Sequence, residues 1–368
     1  MPPSLPEIEE GLRINLGAVT WKDLTIVIDI MGNIFCHEDG MWNLRPTMGN
    51  VPKGRINPAI AVQADTLYVL FGMAATSLTQ MEHYKGVHAL DLKSWRWTTL
   101  RPAGPQPQAG SHMSTWVHDG RVYCFGGIVE REGRFSPTNQ LFCYNTSTNS
   151  WELPATRGKI PSPRRGHSTF VTGDTAFVFG GCVQGSITND LFTLDLANMI
   201  WTEVQPPLDT QAHGRPGKRA THTMTPISSE VAVLSGGYML SRQAHSPHNS
   251  ITSGEEGWLL DTGKVLRGGF TGPASIWKKC EVTVTGKGFN YTVIEPVSRR
   301  LWTLGGHSRE VKSLPFQAGT SLKSLALERA AMSFLDIERP ILEALELPQD
   351  LKQELEAYFP RKQDTNAP

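Results

Sequence analysis

The stretch AFVFGG, residues 176–181, is a short apolar run that ends in a pair of glycines. Similar runs recur along the chain: YVLFGM at 68–73, VYCFGG at 122–127, VAVLSGG at 231–237 and LWTLGG at 301–306. Counted from glycine to glycine, successive runs are spaced by 54, 54, 56 and 69 residues. A short apolar run bounded by glycine favours a β-strand, and self-similarity at such a period indicates an array of small units. The chain is therefore predicted to be all-β and built from repeats.

Two further features recur with the glycine pairs. A second predicted strand follows each pair and ends on a tryptophan six residues after an Asp or Asn, at Trp97, Trp151 and Trp201. Another predicted strand with a polar or basic lead-in precedes each pair, as in GRINPAIAV, GSHMSTWV, RRGHSTFV and KRATHTMTPI. One unit thus contains four short strands, and the tryptophan is large enough to fill the gap between neighbouring sheets. We assign these glycines and tryptophans to the architecture.

The pattern resembles the kelch repeat, whose fold is a β-propeller made of small radial sheets. Six blades are counted over residues 15–318, which predicts an all-β, six-bladed kelch β-propeller with a C-terminal helical tail. The first blade is assigned to residues 15–42 and ends at Trp42. The fifth is assigned as running to about Val265 with no closing tryptophan, and the sixth as covering about 270–318.

The amino-acid composition limits which partners and which cellular compartment are expected. The 35 basic residues balance 35 acidic ones, so no net charge recommends nucleic acid as a partner. No apolar run approaches the ~18 residues of a membrane span, and the first residues lack the basic and apolar segments of a secretion signal. The five cysteines are scattered and contain no CxxC pair, which argues against disulfides and structural zinc. We expect a cytoplasmic and/or nuclear protein without nucleic-acid or membrane partners.

No motif indicates catalysis, a metal or a cofactor. The chain lacks GxSxG, HExxH, a phosphate-binding GxxxxGK and a GxGxxG between a strand and a helix. His245 and His248 could together hold a metal, but such a pair in a Gly/Pro/Ser-flanked loop is more often solvated. We predict a non-catalytic protein with no cofactor, and an unrecognised propeller enzyme remains an alternative.

Cations mark one predicted face for binding. In a propeller of this type, the loops after the glycine pairs and those that enter the next blade share a face, and long loops on a rigid scaffold are frequent recognition sites. Their cationic residues are His112, Arg131, Arg134, Arg165, Lys218, Arg219, Arg242, His245, His248, His307 and Arg309. Arginine binds carboxylates in a bidentate fork, which favours an acidic or carboxylate-ended ligand. The substrate-binding candidates are Arg131, Arg134, Arg219 and Arg242, with solubilising surface arginines as the alternative.

The tail has a different character. Residues 321–355 read SLKSLALERAAMSFLDIERPILEALELPQDLKQEL and favour helices, with an apolar stripe that must be buried on the chain itself or on a partner. The segment SLKSLALERA is similar to an elongin-binding box, whose candidate residues here are Leu322, Leu325, Ala326 and Ala330. The segment LPQDLKQEL is similar to a cullin-2 box, whose candidates are Leu347, Pro348, Leu351 and Leu355. The tail is assigned to residues 319–358, between a propeller and a flexible end at 359–368; residues 1–14 form a flexible start.

Both boxes behind a kelch propeller resemble the kelch-domain substrate receptors of cullin-2 RING ubiquitin ligases. The resemblance implies a non-catalytic subunit whose tail binds elongin B, elongin C and cullin-2, while the propeller holds a substrate protein or its C-terminal peptide. In that family arginines after one glycine pair read the terminal carboxylate, but this chain has Cys182 and Ile187 there, and Ala220 and Thr221 where Ser-Trp is expected. The alternative is a scaffold that binds a cytoskeletal or signalling protein and packs the tail on its own propeller.

Overall fold

In the described part of the chain, six sheets that form the blades follow one another, and three smaller sheets extend from blades 2, 3 and 5. The computed structural model describes residues 17–29, 31–38, 41–75, 81–107, 110–205, 214–241, 250–253, 256–267, 276–283, 290–294, 301–305 and 312–313. The chain divides after Leu314 into two units, and all described residues belong to the first. The predicted tail therefore lies outside the described residues, as do these candidates: Arg242, Leu322, Leu325, Ala326, Ala330, Leu347, Pro348, Leu351 and Leu355.

The first three blades comprise the following strands. Blade 1 contains β1 (Gly17–Trp21), β2 (Leu24–Ile28), β3 (Ile34–Glu38) and β4 (Met41–Arg45). Blade 2 contains β5 (Met48–Gly49), β6 (Ala59–Gln63), β7 (Thr66–Leu70), the hairpin of β8 (Met73–Ala75) and β9 (Met81–His83), β10 (Val87–Asp91) and β11 (Arg96–Leu100). Blade 3 contains β12 (Gly110–Ser111), β13 (Ser114–His118), β14 (Arg121–Phe125), the hairpin of β15 (Ile128–Arg131) and β16 (Arg134–Pro137), β17 (Leu141–Asn145) and β18 (Ser150–Glu152).

The last three blades follow the same plan. Blade 4 contains β19 (Arg157–Gly158), β20 (Ser168–Thr172), β21 (Thr175–Val183), β22 (Ser186–Asp195) and β23 (Ile200–Val204). Blade 5 contains β24 (Thr223–Pro226), β25 (Val231–Ser235), the hairpin of β26 (Tyr238–Ser241) and β27 (Ser250–Ser253), β28 (Glu256–Asp261), α1 (Thr262–Arg267) and β29 (Trp277–Thr283). Blade 6 contains β30 (Asn290–Ile294), β31 (Leu301–Gly305) and β32 (Lys312–Ser313).

The inner strands close a ring. Within each blade the main strands pair antiparallel, in the order β13-β14-β17-β18 in blade 3, for example. Each of the inner strands β1, β6, β13, β20, β24 and β30 contacts the inner strands of its two neighbours, and β30 contacts β1. The predicted all-β, six-bladed propeller is confirmed. Among the described residues, no helix is long and apolar enough to cross a membrane.

The closing tryptophans pack between blades, as predicted. Trp97 in blade 2 belongs to one core with Ile26 and Ile28 of blade 1. Trp201 in blade 4 lies with its ring 4.9 Å from that of Phe125 in blade 3. Both tryptophans are 1% exposed, so each seals the gap to the preceding blade.

Blade 5 corrects the sequence-based boundaries. Trp277 pairs with Leu260 just as Trp201 pairs with Leu194, and its ring lies 5.1 Å from that of Phe179 in blade 4. Blade 5 therefore has a closing tryptophan and extends beyond Val265, and the residues from 277 to 283 do not belong to blade 6. The prediction failed because α1 and the residues after it lengthen the turn before the tryptophan, from six residues to sixteen.

Candidate functional site

The entrances to blades 2, 4 and 5 are held by an arginine at the same repeat position. Arg55, Arg164 and Arg219 begin the entrances to blades 2, 4 and 5, and each donates from Nη1 to the carbonyl at the first position of the glycine pair, on Phe71, Gly180 and Gly236. Each also donates from Nε to the carbonyl two residues earlier. The repeated arginine therefore fastens the entrance segment to its own blade.

Arg164 makes the fullest set of contacts. Its Nη1 and Nη2 atoms lie 2.8 and 2.9 Å from the two carboxylate oxygens of Asp190, in a bidentate pair. The arginine side chain is 1% exposed and that of Asp190 is 26% exposed. Paired geometry of this kind offsets the cost of burying the charge.

Arg219 was predicted to contact a ligand, and the structure corrects this. The residue is 0% exposed, and its guanidinium donates to the carbonyls of Gly217, Gly236 and Glu256 at 3.2–3.3 Å. Burial lowers its pKa to about 10, against a smaller raising effect of the charge of Glu256. Arg219 has no surface to offer a substrate and stabilises blade 5 instead.

Arg131 and Arg134 lie on the hairpin of blade 3. This hairpin stands beside the entrance to blade 3, because Ser111 of β12 pairs with Ile128 of β15. Arg131 is exposed and donates to the oxygens of Thr138 and Gln140, and Arg134 is exposed opposite it. Both can meet a ligand on this face, and their role stays a prediction.

The entrance to blade 4 places an arginine beside Cys182. Arg165 and Cys182 face each other across an isolated antiparallel bridge, with N–O distances of 3.2 and 2.8 Å. Residues directly opposite in such a pair project to the same side, about 5 Å apart. Arg165 is exposed, whereas Ile187, the second expected arginine position, is 6% exposed and pairs with Cys182 on the hairpin. Arg165 therefore lies beside a position at which the resemblance leads us to expect an arginine.

His112, Tyr238 and Arg165 share one electrostatic environment. Burial, and secondarily the charge of Arg165, lower the pKa of His112 to about 4. Burial also raises the pKa of Tyr238, with Cys182 raising it and Arg165 lowering it. We call Arg165, Cys182, His112, Tyr238 and Thr221 the channel mouth. At neutral pH its charge is that of Arg165, with neutral hydrogen-bonding groups around it.

The backbone at the mouth is left-handed at a repeated position. Asn57, His112, Gly166 and Thr221 occupy equivalent positions in four blades and have φ between 49° and 63°. Asn and Gly tolerate this region, but a β-branched residue does so only under strain. Thr221, at φ 55°, donates its hydroxyl to the carbonyl of Ala220, 2.8 Å away. The mouth therefore carries a local strain that the surrounding blades maintain.

The first glycine of a pair makes room for a histidine of the next blade. A Cβ atom on Gly126 would lie 2.6 Å from Cε1 of His167, and one on Gly180 would lie 2.9 Å from Cε1 of His222. In blade 2 this position is Phe71, and the next blade carries Met113 in place of the histidine. A glycine at the first position of the pair therefore occurs together with a histidine at the entrance to the next blade, because a larger residue would clash with that ring.

Below the mouth, the inner strands surround a cavity of about 310 Å³. Ser114 Oγ lies 2.6 Å from His167 Nε2, which links blades 3 and 4. Thr115 donates its hydroxyl to the carbonyl of Ile60, and Thr169 to that of Thr115. Side-chain hydroxyls therefore connect inner strands that share no ladder. We call this cavity the channel.

Ser114 and His167 are as close as a catalytic nucleophile and its general base, but the His167 ring is too weakly basic for that role. Burial, and secondarily the charge of Arg164, lower the pKa of His167 to about 3. A general base is effective when its pKa lies near the working pH, so this imidazole cannot deprotonate a serine at neutral pH. Within the described ranges, no three His, Cys, Asp or Glu side chains gather as metal ligands. The Ser114–His167 pair therefore acts as a hydrogen bond between blades 3 and 4.

The chain is similar to several known proteins. It is 27% identical to "Kelch domain-containing protein 2" of Bos taurus over 61% of this chain and 59% of that protein. It is 28% identical to "Kelch domain-containing protein 3" of Bos taurus over 50% of this chain and 48% of that protein. The chain thus spans about half the length of these curated relatives.

A solved structure, "Structure of YjhT", superposes with a TM-score of 0.62 at 14% identity and covers 83% of this chain and 93% of that one, which supports the fold alone. The model of the KLHDC2/KLHL20/DRC7 Kelch-repeats domain matches residues 22–237, more than half of the chain. These residues include blades 2 to 4 and the repeated entrances described above. The chain therefore belongs to the KLHDC2/KLHL20/DRC7 Kelch-repeats family.

Proposed function

We propose that this chain is a non-catalytic substrate-recognition subunit of a cullin-2 RING ubiquitin ligase, working in the cytoplasm and/or nucleus. The tail would bind elongin B, elongin C and cullin-2, and the propeller would bind the substrate. Membership in a kelch-repeat family supports a protein-interaction role. The order of the two box-like segments after the propeller supports the ligase assignment. The subunit would contribute proximity and orientation to ubiquitin transfer.

The proposal that the propeller binds a substrate rests on the side chain of Arg165. Arg165 is exposed at the channel mouth, and among the described residues its side chain has no ion pair or hydrogen bond. Most other cations on this face are committed: Arg55, Arg164 and Arg219 fasten entrances, and Arg131 bonds within its hairpin. A free guanidinium beside neutral donors suits a carboxylate, on an acidic side chain or at a chain end.

The tail is tested by co-purification with elongin B, elongin C and cullin-2. We expect the wild type to form a stoichiometric complex, Leu322→Asp to abolish it, and Pro348→Ala to weaken cullin-2 binding while elongin binding persists. A charge on the apolar stripe removes its burial against a partner, whereas the proline change affects only the second segment. Leu44→Asp, at a propeller leucine that is 57% exposed, is the matched control and should assemble normally. A wild-type chain that purifies alone would favour the scaffold function instead.

The mouth is tested with a peptide library displayed with free C-terminal carboxylates and again with C-terminal amides. Wild-type binders should lose affinity about tenfold or more in Arg165→Ala, since a charge-assisted pair contributes ~1.5–3 kcal/mol. Arg165→Lys should retain part of the affinity because it keeps the charge without the fork. Arg101→Ala, another exposed arginine, should bind as the wild type does. Equal binding by Arg165→Ala would remove Arg165 from the site, while the co-purification result would stand by itself.

A further inference from the structure

The channel wall combines polar and apolar side chains of the inner strands. Ten of the residues that line the cavity carry neutral hydrogen-bonding side chains, and they come from four blades; among them are Asn57, Ser114, Thr115, Ser168, His222 and Thr223. Between them, Ile60, Met113 and Met224 supply apolar surface. A concave site with an apolar background and a few convergent polar groups is the usual form of a small-molecule site, and 310 Å³ lies at the lower end of such sites.

The wall carries no charge at neutral pH. Among the described residues that line it, none is Asp, Glu, Lys or Arg. Burial holds the pKa of His112 at about 4, that of His167 at about 3 and that of His222 well below its usual range, so all three rings are neutral. A charged ligand would lose its hydration here without gaining a counter-charge. The wall therefore selects for neutral molecules.

One repeated hydrogen bond is missing from the wall. Ser114 and His167 meet at 2.6 Å, and Ser168 and His222 hold the equivalent positions one blade later. In the described part of the chain, Ser168 Oγ has no hydrogen-bond partner, and neither ring nitrogen of His222 has one at full hydrogen-bond geometry, although the two residues are 7% and 5% exposed. The one polar backbone neighbour recorded for the His222 ring is that of Phe179, which raises the pKa of the ring against the larger lowering effect of burial. A buried polar group without a partner is costly and calls for an explanation at each site.

A ligand hydroxyl group can form hydrogen bonds with both Ser168 Oγ and His222 Nε2, because it donates one hydrogen bond and accepts others. A serine hydroxyl can donate to it, and an imidazole Nε2 can accept from it or donate to it according to the tautomer. Carbon faces of the same ligand would pack on Met113 and Met224. We propose that the channel binds a small neutral polyhydroxylated molecule, of the polyol or monosaccharide class, through Ser168 and His222. This site is independent of the proposed ligase function.

The test uses the full-length chain with myo-inositol and D-glucose as neutral probes and D-glucuronate as a charged probe of similar size, followed by titration calorimetry and ligand-observed NMR. At least one neutral probe should bind, and glucuronate should bind at least tenfold more weakly. Ser168→Ala should reduce the affinity of the neutral probe about tenfold, which is the effect of one lost hydrogen bond. This variant removes an unpaired hydroxyl and is expected to fold.

Ser186→Ala, at an exposed serine on the hairpin of blade 4, is the control and should bind as the wild type does. Three results would overturn the proposal: no neutral probe binds, glucuronate binds as well as the neutral probes, or Ser168→Ala keeps full affinity. The first of these is also the result expected if water alone occupies the channel.

Discussion

Replacing Arg164 with leucine should lower the free energy of unfolding by about 3 kcal/mol, because it removes one partner of a buried ion pair and leaves the other uncompensated. The substitution removes the bidentate contact with Asp190 and the bonds to the carbonyls of Gly180 and Ser162. Asp190 is 26% exposed and can recover part of its hydration, which holds the loss at the lower end of the range for such pairs. Urea denaturation followed by tryptophan fluorescence measures the change.

The adjacent residue supplies the control. Arg165→Leu should change the free energy of unfolding by less than about 0.5 kcal/mol, because that side chain is exposed and makes no bond among the described residues. The double variant Arg164→Leu/Asp190→Leu should recover part of the loss, since no unpaired charge remains. Equal stability of Arg164→Leu and the wild type would mean that the pair does not hold the entrance to blade 4.

The contrast between Arg164 and Arg165 also shows how the sequence can distinguish a structural arginine from a candidate binding arginine. Arg164 stands at the same repeat position as Arg55 in blade 2 and Arg219 in blade 5. At the next position, Arg165 is replaced by Ile56 and Ala220 in those two blades. A residue that recurs with the period serves the architecture, and a residue that departs from it is free to serve a site. Had this rule been applied to the entrances, Arg219 would have been assigned to the fold and Arg165 to the mouth.

The fold could be predicted from the sequence because the motifs that define each blade are local and recur at a regular spacing. Each glycine pair and each six-residue interval to a tryptophan lies within a single blade, so the blade count could be predicted from spacing. Trp277 was missed because its role depends on pairing with Leu260 across an inserted turn, which no fixed spacing reveals. The channel was missed for a similar reason, since Ser114 and His167 meet only when two neighbouring blades pack side by side.

Acid should destabilise the propeller well above the pH at which its carboxylates protonate. The unfolded chain binds a proton at His167 below pH about 6.5, whereas burial delays this in the folded chain until about pH 3. In that interval the unfolded state binds more protons, so the free energy of unfolding falls as the pH falls. Between pH 7.5 and 5.0, His167 alone should account for roughly 2 kcal/mol. His222 and His112, whose pKa values are also lowered by burial, add losses of the same sign.

The interval from pH 7.5 to 5.0 isolates the histidines. Hydrogen bonds from Lys93 and Ser94 lower the pKa of Asp65 and Asp91 below 3.8, so these acids remain ionised throughout it. His167→Gln should therefore reduce the pH dependence of unfolding by roughly 2 kcal/mol across the interval, because the titrating ring is gone. The measurement is a series of urea denaturation curves at half-unit steps of pH.

Ser114→Ala distinguishes titration from loss of a hydrogen bond. This variant loses the same 2.6 Å contact as His167→Gln but keeps the buried ring, so it should be less stable at every pH by a similar amount and retain the wild-type slope. A His167→Gln variant with the wild-type slope would show that this ring is not the group that takes up the proton on unfolding. Because the same neutral rings line the channel, a wild-type slope in that variant would also weaken the argument that the wall excludes charged ligands.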